Sequence, residues 1–208
     1  QVFGIFPSSR KYLIVSDMFY FYIVCYLSTI KSSIFYMSNK KLEVIEFSKR
    51  LNSTNLSPLR SGNISVRTQI EGEDGFYITP SGIKYEDLKE EDIVFLSNEK
   101  EYDFIKIFNS GLNPSSEWRF HQDIYKNKRE AKAIVHAHST HATAISTHRK
   151  PIPPFHYMIA LMGGEDIKCA EYATFGTKEL SNNIIKALEN RKACLMANHG
   201  QIAFGDSL

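Results

Sequence analysis

Two short runs rich in β-branched and aromatic residues, NISVR (63–67) and GFYITP (75–80), flank an acidic turn that contains glycine. This pattern predicts a β-hairpin, and a hairpin commits its sheet, at least in part, to antiparallel pairing. Near the other end, ACLMANHG and QIAFG predict a closing pair of strands. Between these pairs, strands and helices alternate. Leu42 to Leu51 carries Val44, Phe47 and Leu51 on one helical stripe. After PSG (80–82) come a charged helical turn, YEDLKEED, and a strand, IVFLS. Pro114-Ser115-Ser116-Glu117 predicts a helix start, with a serine cap and an acid in the first turn, running to about Lys126. AIVHAHS reads as a strand, THATAIST as a helix and FHYMIALM as an apolar helical segment. IKCAEY reads as a strand and TKELSNNIIKALEN as an amphipathic helix. Such interleaving predicts an α/β or α+β domain with a covered central sheet.

With 208 residues, 43% of them hydrophobic, the chain can form one good-sized core, or one domain and an appendage. The appendage is the first 36 residues. Within them YLIVSDMFYFYIVCYLSTI (12–30) carries one charge, Asp17, and is long enough for a membrane span. No small-residue cleavage site follows it, so a signal peptide fits poorly. Met37 opens MSNKKLEVIEF, which looks like an ordinary protein start. Residues 1–36 therefore read as a separate apolar segment, upstream open reading frame in the favoured reading and an anchor or part of the fold in the alternatives. Residues 37–208 are the domain. It stops at GDSL, straight after a strand, so a covering C-terminal helix or tail is expected to be missing. A net charge of +2 with both signs scattered leaves no electrostatic footprint for nucleic acid. Cys25, Cys169 and Cys194 are odd in number and far apart, which suits a reducing cytosol better than a disulfide framework.

Three of the seven histidines fall within six positions, in IVHAHSTHATAIS (134–146). Buried imidazole needs partners for both nitrogens, but it is the commonest side-chain metal ligand. On a strand, His136 and His138 point to one face with Cα atoms ~7 Å apart, close enough to converge on one ion. His141 falls after the strand and need not face the same way. His199, in ANHG, is the other histidine at a strand end, where Gly200 would let the backbone turn sharply. Three histidines and an open position describe a catalytic zinc site. Alone, an H-x-H pair is also a common solvent-facing pattern. Glu117 adds a carboxylate at a helix N-terminus, and Trp118 and Phe120 would dry its surroundings. SGN (61–63), PSG (80–82) and the Ser115-Ser116 helix start each resemble an anion cradle, which together suggest a phosphorylated substrate.

SGNISVR, ITPSG, PSSEWRFH, AIVHAHSTHATAIS, FHYMIALMGG, AEYATFGT and ANHGQIAFG follow one another as in the class II aldolase/adducin family. The resemblance covers residues 38–208 and is closest to bacterial L-fuculose-phosphate-aldolase-like members. It implies a three-layer α/β/α domain with a mostly antiparallel sheet, a cytoplasmic homotetramer and active sites between subunits. His136, His138 and His199 match zinc ligands, one ion per chain, with another divalent transition metal as the alternative. Glu117 matches the acid/base. Tyr157 matches a tyrosine that protonates the aldehyde oxygen from a neighbouring subunit. Asn63, Ser81, Gly82, Ser115 and Ser116 match phosphate-binding positions. One departure stands out: SPLRSGN places Leu59 and Arg60 where family members often have glycine upstream of the SGN loop.

The activity implied is zinc-dependent cleavage of a ketose 1-phosphate to dihydroxyacetone phosphate and an aldehyde. Within the family, pentulose-phosphate 4-epimerase, sugar-acid-phosphate decarboxylase and methylthioribulose-phosphate dehydratase are alternatives. Epimerases usually carry Asp at the position of Glu117. A non-catalytic adducin-like module is the remaining one, against which the intact His136, His138, His199 and Glu117 speak.

Overall fold

The computed structural model describes residues 39–103, 107, 110, 111 and 113–208. The apolar stretch 12–30 lies outside them. Lys40–Leu208 form one compact unit. No helix among the described residues is long and apolar enough to cross a membrane.

The hairpin is β1 (Asn63–Ile70) and β2 (Glu73–Ile78), antiparallel with Ile70 opposite Glu73. Its two-residue loop, Glu71-Gly72, holds φ of 52° and 86°. A loop with positive φ at both positions twists to match the flanking strands. Five more strands follow: β3 (Val94–Ser97), β4 (Ala133–Ala137), β5 (Cys169–Ala170), β6 (Ala193–Met196) and β7 (Gly200–Gly205). They form one seven-stranded sheet in the order β3-β2-β1-β4-β7-β6-β5. Only the β5–β6 pair is parallel. β4 therefore lies at the middle of the sheet, and a side chain on it can be fully enclosed.

Helices cover both faces, as the resemblance implied. α1 spans residues 39–53, and α2 (Trp118–Asn127), α3 (Thr140–Ser146) and α4 (Lys178–Ala187) follow. On one face Trp118, Phe120 and Ile124 of α2 and Leu180 and Ile184 of α4 pack with Phe76, Ile134, Ile202 and Phe204 of the sheet. Tyr77, next to Phe76, points the other way, and Lys41 Nζ of α1 lies 5.3 Å over its ring. α3 also covers that face: Ser139, at its N-cap, accepts a hydrogen bond from Gln201 Nε2 at 2.8 Å.

Several local expectations change. The buried stripe of α1 is Val44, Ile45, Ser48 and Leu51, while Phe47 is half-buried under the Arg50 guanidinium, 4.8 Å from its ring. FHYMIALM is a 3-10 turn, Tyr157–Met162, closed by Gly163 at φ 95°. IKCAEY contributes a strand of only two residues. α2 begins at Trp118, so Glu117 occupies the N-cap position without capping through its side chain, and no acid lies in the first turn.

Candidate active site

His136, on central β4, pairs with Asn63 of β1 on one side and Ile202 of β7 on the other, and is fully buried. His138 lies one residue past the end of β4, and its backbone N–H donates to Leu56 O at 3.1 Å. That bond continues the extended backbone far enough to keep both imidazoles on one side. His199 sits in the tight connection from β6 to β7. Asn198, not Gly200, makes the left-handed turn there, with φ 55°. Asparagine tolerates that region better than most residues. Gly200 is needed for space: a Cβ on it would lie 2.5 Å from Ala137 O and 2.8 Å from His138 Cδ2.

The three rings stand nearly perpendicular, with centroids 4.7–4.9 Å apart. Their ligand atoms lie within 4.8 Å of one another, and this is the metal-competent group found among the described residues. His136 Nδ1 donates to Gln201 O at 2.9 Å. This contact sets the tautomer and turns the Nε2 lone pair towards the other rings. His136 Nε2 and His138 Nε2 then face each other at 2.9 Å. Two lone pairs that close repel unless a proton or cation lies between them, so the donor set fits a metal ion. His141 is exposed on α3, and His148 and His156 are exposed too.

Glu117 closes the group. Its Oε2 lies 3.3 Å from His136 Nε2 and its Oε1 lies 3.2 Å from His199 Nε2. Oε1 lacks the geometry of a hydrogen bond and is left buried without one. Burial works against ionisation, but the pull of His136 and His199 outweighs it and holds the carboxyl well below the usual carboxylate range. Burial, reinforced by His136, pushes His121 down to about 3 and, with His199 as well, His138 to about 4. Phe120 dries the site, its ring edge-on to His136 at 5.4 Å. Trp118 instead packs into the core against Tyr102.

Glu117, His138 and His199 open into a cleft of about 370 Å³ that is also lined by Ser61, Ser116, Tyr172, Phe175 and Asn198. Leu59 and Arg60, both at left-handed φ (56° and 60°), bring the chain to Ser61 on the cleft wall. The suggested cradle elements do meet, since Pro80 bridges Pro114 and Ser81 Oγ accepts from Ser116 N–H at 3.1 Å. Their backbone donors are partly committed: Ser115 N–H goes to Thr79 O and Glu117 N–H to Ser115 Oγ. Gly82 follows at φ 79°. Asn63 does not turn towards these loops; its Nδ2 donates to Glu117 Oε2 at 2.9 Å. Tyr157 is 80% exposed and lies outside this cleft's lining. Tyr172, Phe175 and Asn198 were not singled out in the sequence, although AEYATFGT and ANHG contain them.

The model for the "Class II Aldolase and Adducin N-terminal domain" matches residues 42–208. The chain belongs to the class II aldolase/adducin family. An L-fuculose phosphate aldolase of Escherichia coli O6:H1 is 46% identical over 80% of this chain and 74% of its own length. A 5-methylthioribulose-1-phosphate/5-deoxyribulose-1-phosphate aldolase of Rhodospirillum rubrum is 44% identical over 79% of this chain and 70% of its own. A solved L-fuculose 1-phosphate aldolase superposes with a TM-score of 0.71 at 42% identity, covering 82% of this chain and 76% of that one. The class II aldolase is thus a lyase, with a histidine triad that could bind a metal.

Proposed function

We propose that this aldolase is zinc-dependent and cleaves a ketose 1-phosphate of the L-fuculose 1-phosphate type to dihydroxyacetone phosphate and an aldehyde. One observation carries the reading: three imidazoles converge at an open cleft beside a buried carboxylate whose Oε1 has no hydrogen bond. The relatives named above, all called aldolases of sugar phosphates, support the substrate class.

His136, His138 and His199 would hold the zinc, one per chain. When bound, it supplies Lewis acidity that eases negative charge developing on the substrate's oxygens. In the direction of bond formation, Glu117 takes a proton from the carbon beside the ketone. That carbon attacks the aldehyde carbon, and a tyrosine hydroxyl protonates the aldehyde oxygen. Cleavage runs these steps backwards. Glu117 is held ionised, so it is free to accept a proton. We assign the hydroxyl to Tyr157 from a second copy of the chain in a homotetramer. The exposure of Phe155, Tyr157 and Leu161 supports an interface there. Ser81, Gly82, Ser115 and Ser116 are assigned to the phosphate, with Ser116 already on the cleft wall. Asn63, which the resemblance places at the phosphate, stays on Glu117 in this reading, its Nδ2 donating to Oε2.

Product analysis with a panel of ketose 1-phosphates and pentulose 5-phosphates tests the reading. Dihydroxyacetone phosphate with an aldehyde is the expected result. Epimerisation without cleavage, or release of carbon dioxide, would replace it with another activity of the family.

A further inference from the structure

Behind Glu117 lies a buried polar ladder for which the proposed chemistry has no use. Along α2, Glu117, His121 and Tyr125 follow at four-residue steps; along β1, Asn63, Ser65 and Arg67 follow at two-residue steps. Asn63 contacts Glu117 and His121, Ser65 contacts His121 and Tyr125, and Arg67 Nη1 donates to Tyr125 O. His121, Ser65 and Tyr125 are fully buried.

The direction of every hydrogen follows from one fact. The Glu117 carboxylate can only accept, so the Asn63 NH₂ group faces it, at 2.9 Å. Asn63 Oδ1 then faces His121 Nε2 at 2.5 Å, and this nitrogen must carry the proton. With the ring neutral, Nδ1 accepts from Ser65 Oγ at 2.7 Å. Ser65 in turn accepts from the Tyr125 hydroxyl at 2.9 Å. The row of donors runs from Tyr125 to Glu117 without a reversal. It ends in the core, where Tyr125 is 0% exposed and packs on Phe76 at 5.1 Å, so it has no outlet for conducting protons to solvent.

We propose that His121 is a positioning residue: through Asn63 it tethers Glu117 Oε2 and so keeps Oε1, which has no hydrogen bond, free to carry the proton. This rests on the reading of Glu117 as the proton carrier. Without the tether, the carboxylate is free to turn fully onto His136 and His199, which lie 3.3 and 3.2 Å from its oxygens. Proton transfer would suffer while the imidazoles stayed in place.

Two measurements test this. In the zinc-loaded full chain, long-range ¹⁵N–¹H NMR should show His121 as the neutral Nε2–H tautomer with a slowly exchanging proton, its signals assigned by their loss in His121→Phe. An Nδ1–H tautomer would overturn the proposal, and this readout needs no folded variant beyond the assignment. In kinetics, His121→Phe should lower kcat by about 10–100-fold, as loss of such supporting partners typically does, with KM and bound zinc unchanged. His121→Gln, whose Nε2 amide can still donate to Asn63 Oδ1, should recover to within a few-fold of the unaltered enzyme. His121→Asn, too short to reach it, should not. Equal turnover in the Phe and Gln variants would reduce His121 to packing and overturn the proposal. Wild-type turnover in His121→Phe beside an inactive Glu117→Gln would sink the positioning role alone. An active Glu117→Gln would instead remove the proton-carrier reading beneath it.

Discussion

Glu117→Gln separates proton transfer from metal binding better than any other change at this site. Glutamine keeps the length of the side chain, and its Oε1 can still accept the Asn63 Nδ2 hydrogen now given to the carboxylate at 2.9 Å. The three imidazoles are untouched: His136 keeps its Nδ1 bond to Gln201 O, and His199 keeps its backbone bond to Met196 O at 3.0 Å. What disappears is the negative charge and the ability to accept a proton at neutral pH. A general base of this kind is typically worth about 10²–10⁴-fold in rate. At about 1.36 kcal/mol per tenfold, that range corresponds to a barrier raised by roughly 2.7–5.4 kcal/mol. The variant should therefore hold close to one zinc per chain by elemental analysis and bind a phosphorylated substrate analogue by calorimetry. Its release of dihydroxyacetone phosphate, followed in a coupled assay, should fall by at least a hundredfold. Full metal with near-normal turnover would take Glu117 out of the mechanism. Loss of the zinc itself would make Glu117 a ligand that the three imidazoles cannot replace.

Other changes discriminate among the remaining assignments. His136→Ala and His199→Ala should each abolish zinc binding, whereas His141→Ala should retain it, because that ring is exposed on α3; metal lost from the His141 variant would mean that the third ligand is wrong. Tyr157→Phe should be inactive, and mixing it with inactive Glu117→Gln chains should restore part of the activity if one site draws on two subunits; no recovery would put both residues in one chain's site, and an active Tyr157→Phe would place Tyr157 outside it. Gly200→Ala forces a Cβ to 2.5 Å from Ala137 O and should cost roughly 1–3 kcal/mol, read from the urea midpoint. The metal-free protein should also weaken in acid. Burial pushes His121 down to about 3 in the fold, against an ordinary value of about 6.5, so between those values the unfolded chain binds the extra proton. Its contribution is complete above about pH 6.5 and is lost as pH falls towards 3, at up to about 1.4 kcal/mol per pH unit. His121→Phe should flatten that limb between pH 7 and 5, and an unchanged slope would show that His121 is not the group responsible.

What could be read in advance was carried by contiguous residues. The hairpin follows from two β-branched runs around a glycine turn, and the pairing of His136 with His138 from the two-residue period of an extended chain. His199 was legible because a histidine beside a glycine at a strand end has few structural reasons to be there. Rotamers and register were not legible. The SGN and PSG loops were expected to offer backbone donors, yet tertiary packing commits Gly62 N–H to Ser57 Oγ and Ser81 N–H to Asn113 O. The serine before α2 was expected to cap it, yet Glu117 takes that place, without capping through its side chain, which lies against His136 and His199.

The ladder beneath the site shows both the reach of such reading and its limit. N-x-S-x-R at 63–67 and E-x-x-x-H-x-x-x-Y at 117–125 are plain in the sequence, and each puts its residues on one face of its own element. Nothing in either stretch says that the two faces meet. Once they do, the geometry nearly matches. Four residues of helix advance about 6.0 Å and two residues of strand about 6.8 Å. The difference of about 0.8 Å per step is small enough for side-chain torsions to absorb over two or three rungs and too large for many more. Asn63, Ser65 and Arg67 against Glu117, His121 and Tyr125 stay within that limit. A single-residue slip of β1 would turn Asn63 and Ser65 to the opposite face and leave His121 buried with neither partner. The register between β1 and β4, which sets Asn63 opposite His136, is therefore held by the same polar groups that orient Glu117.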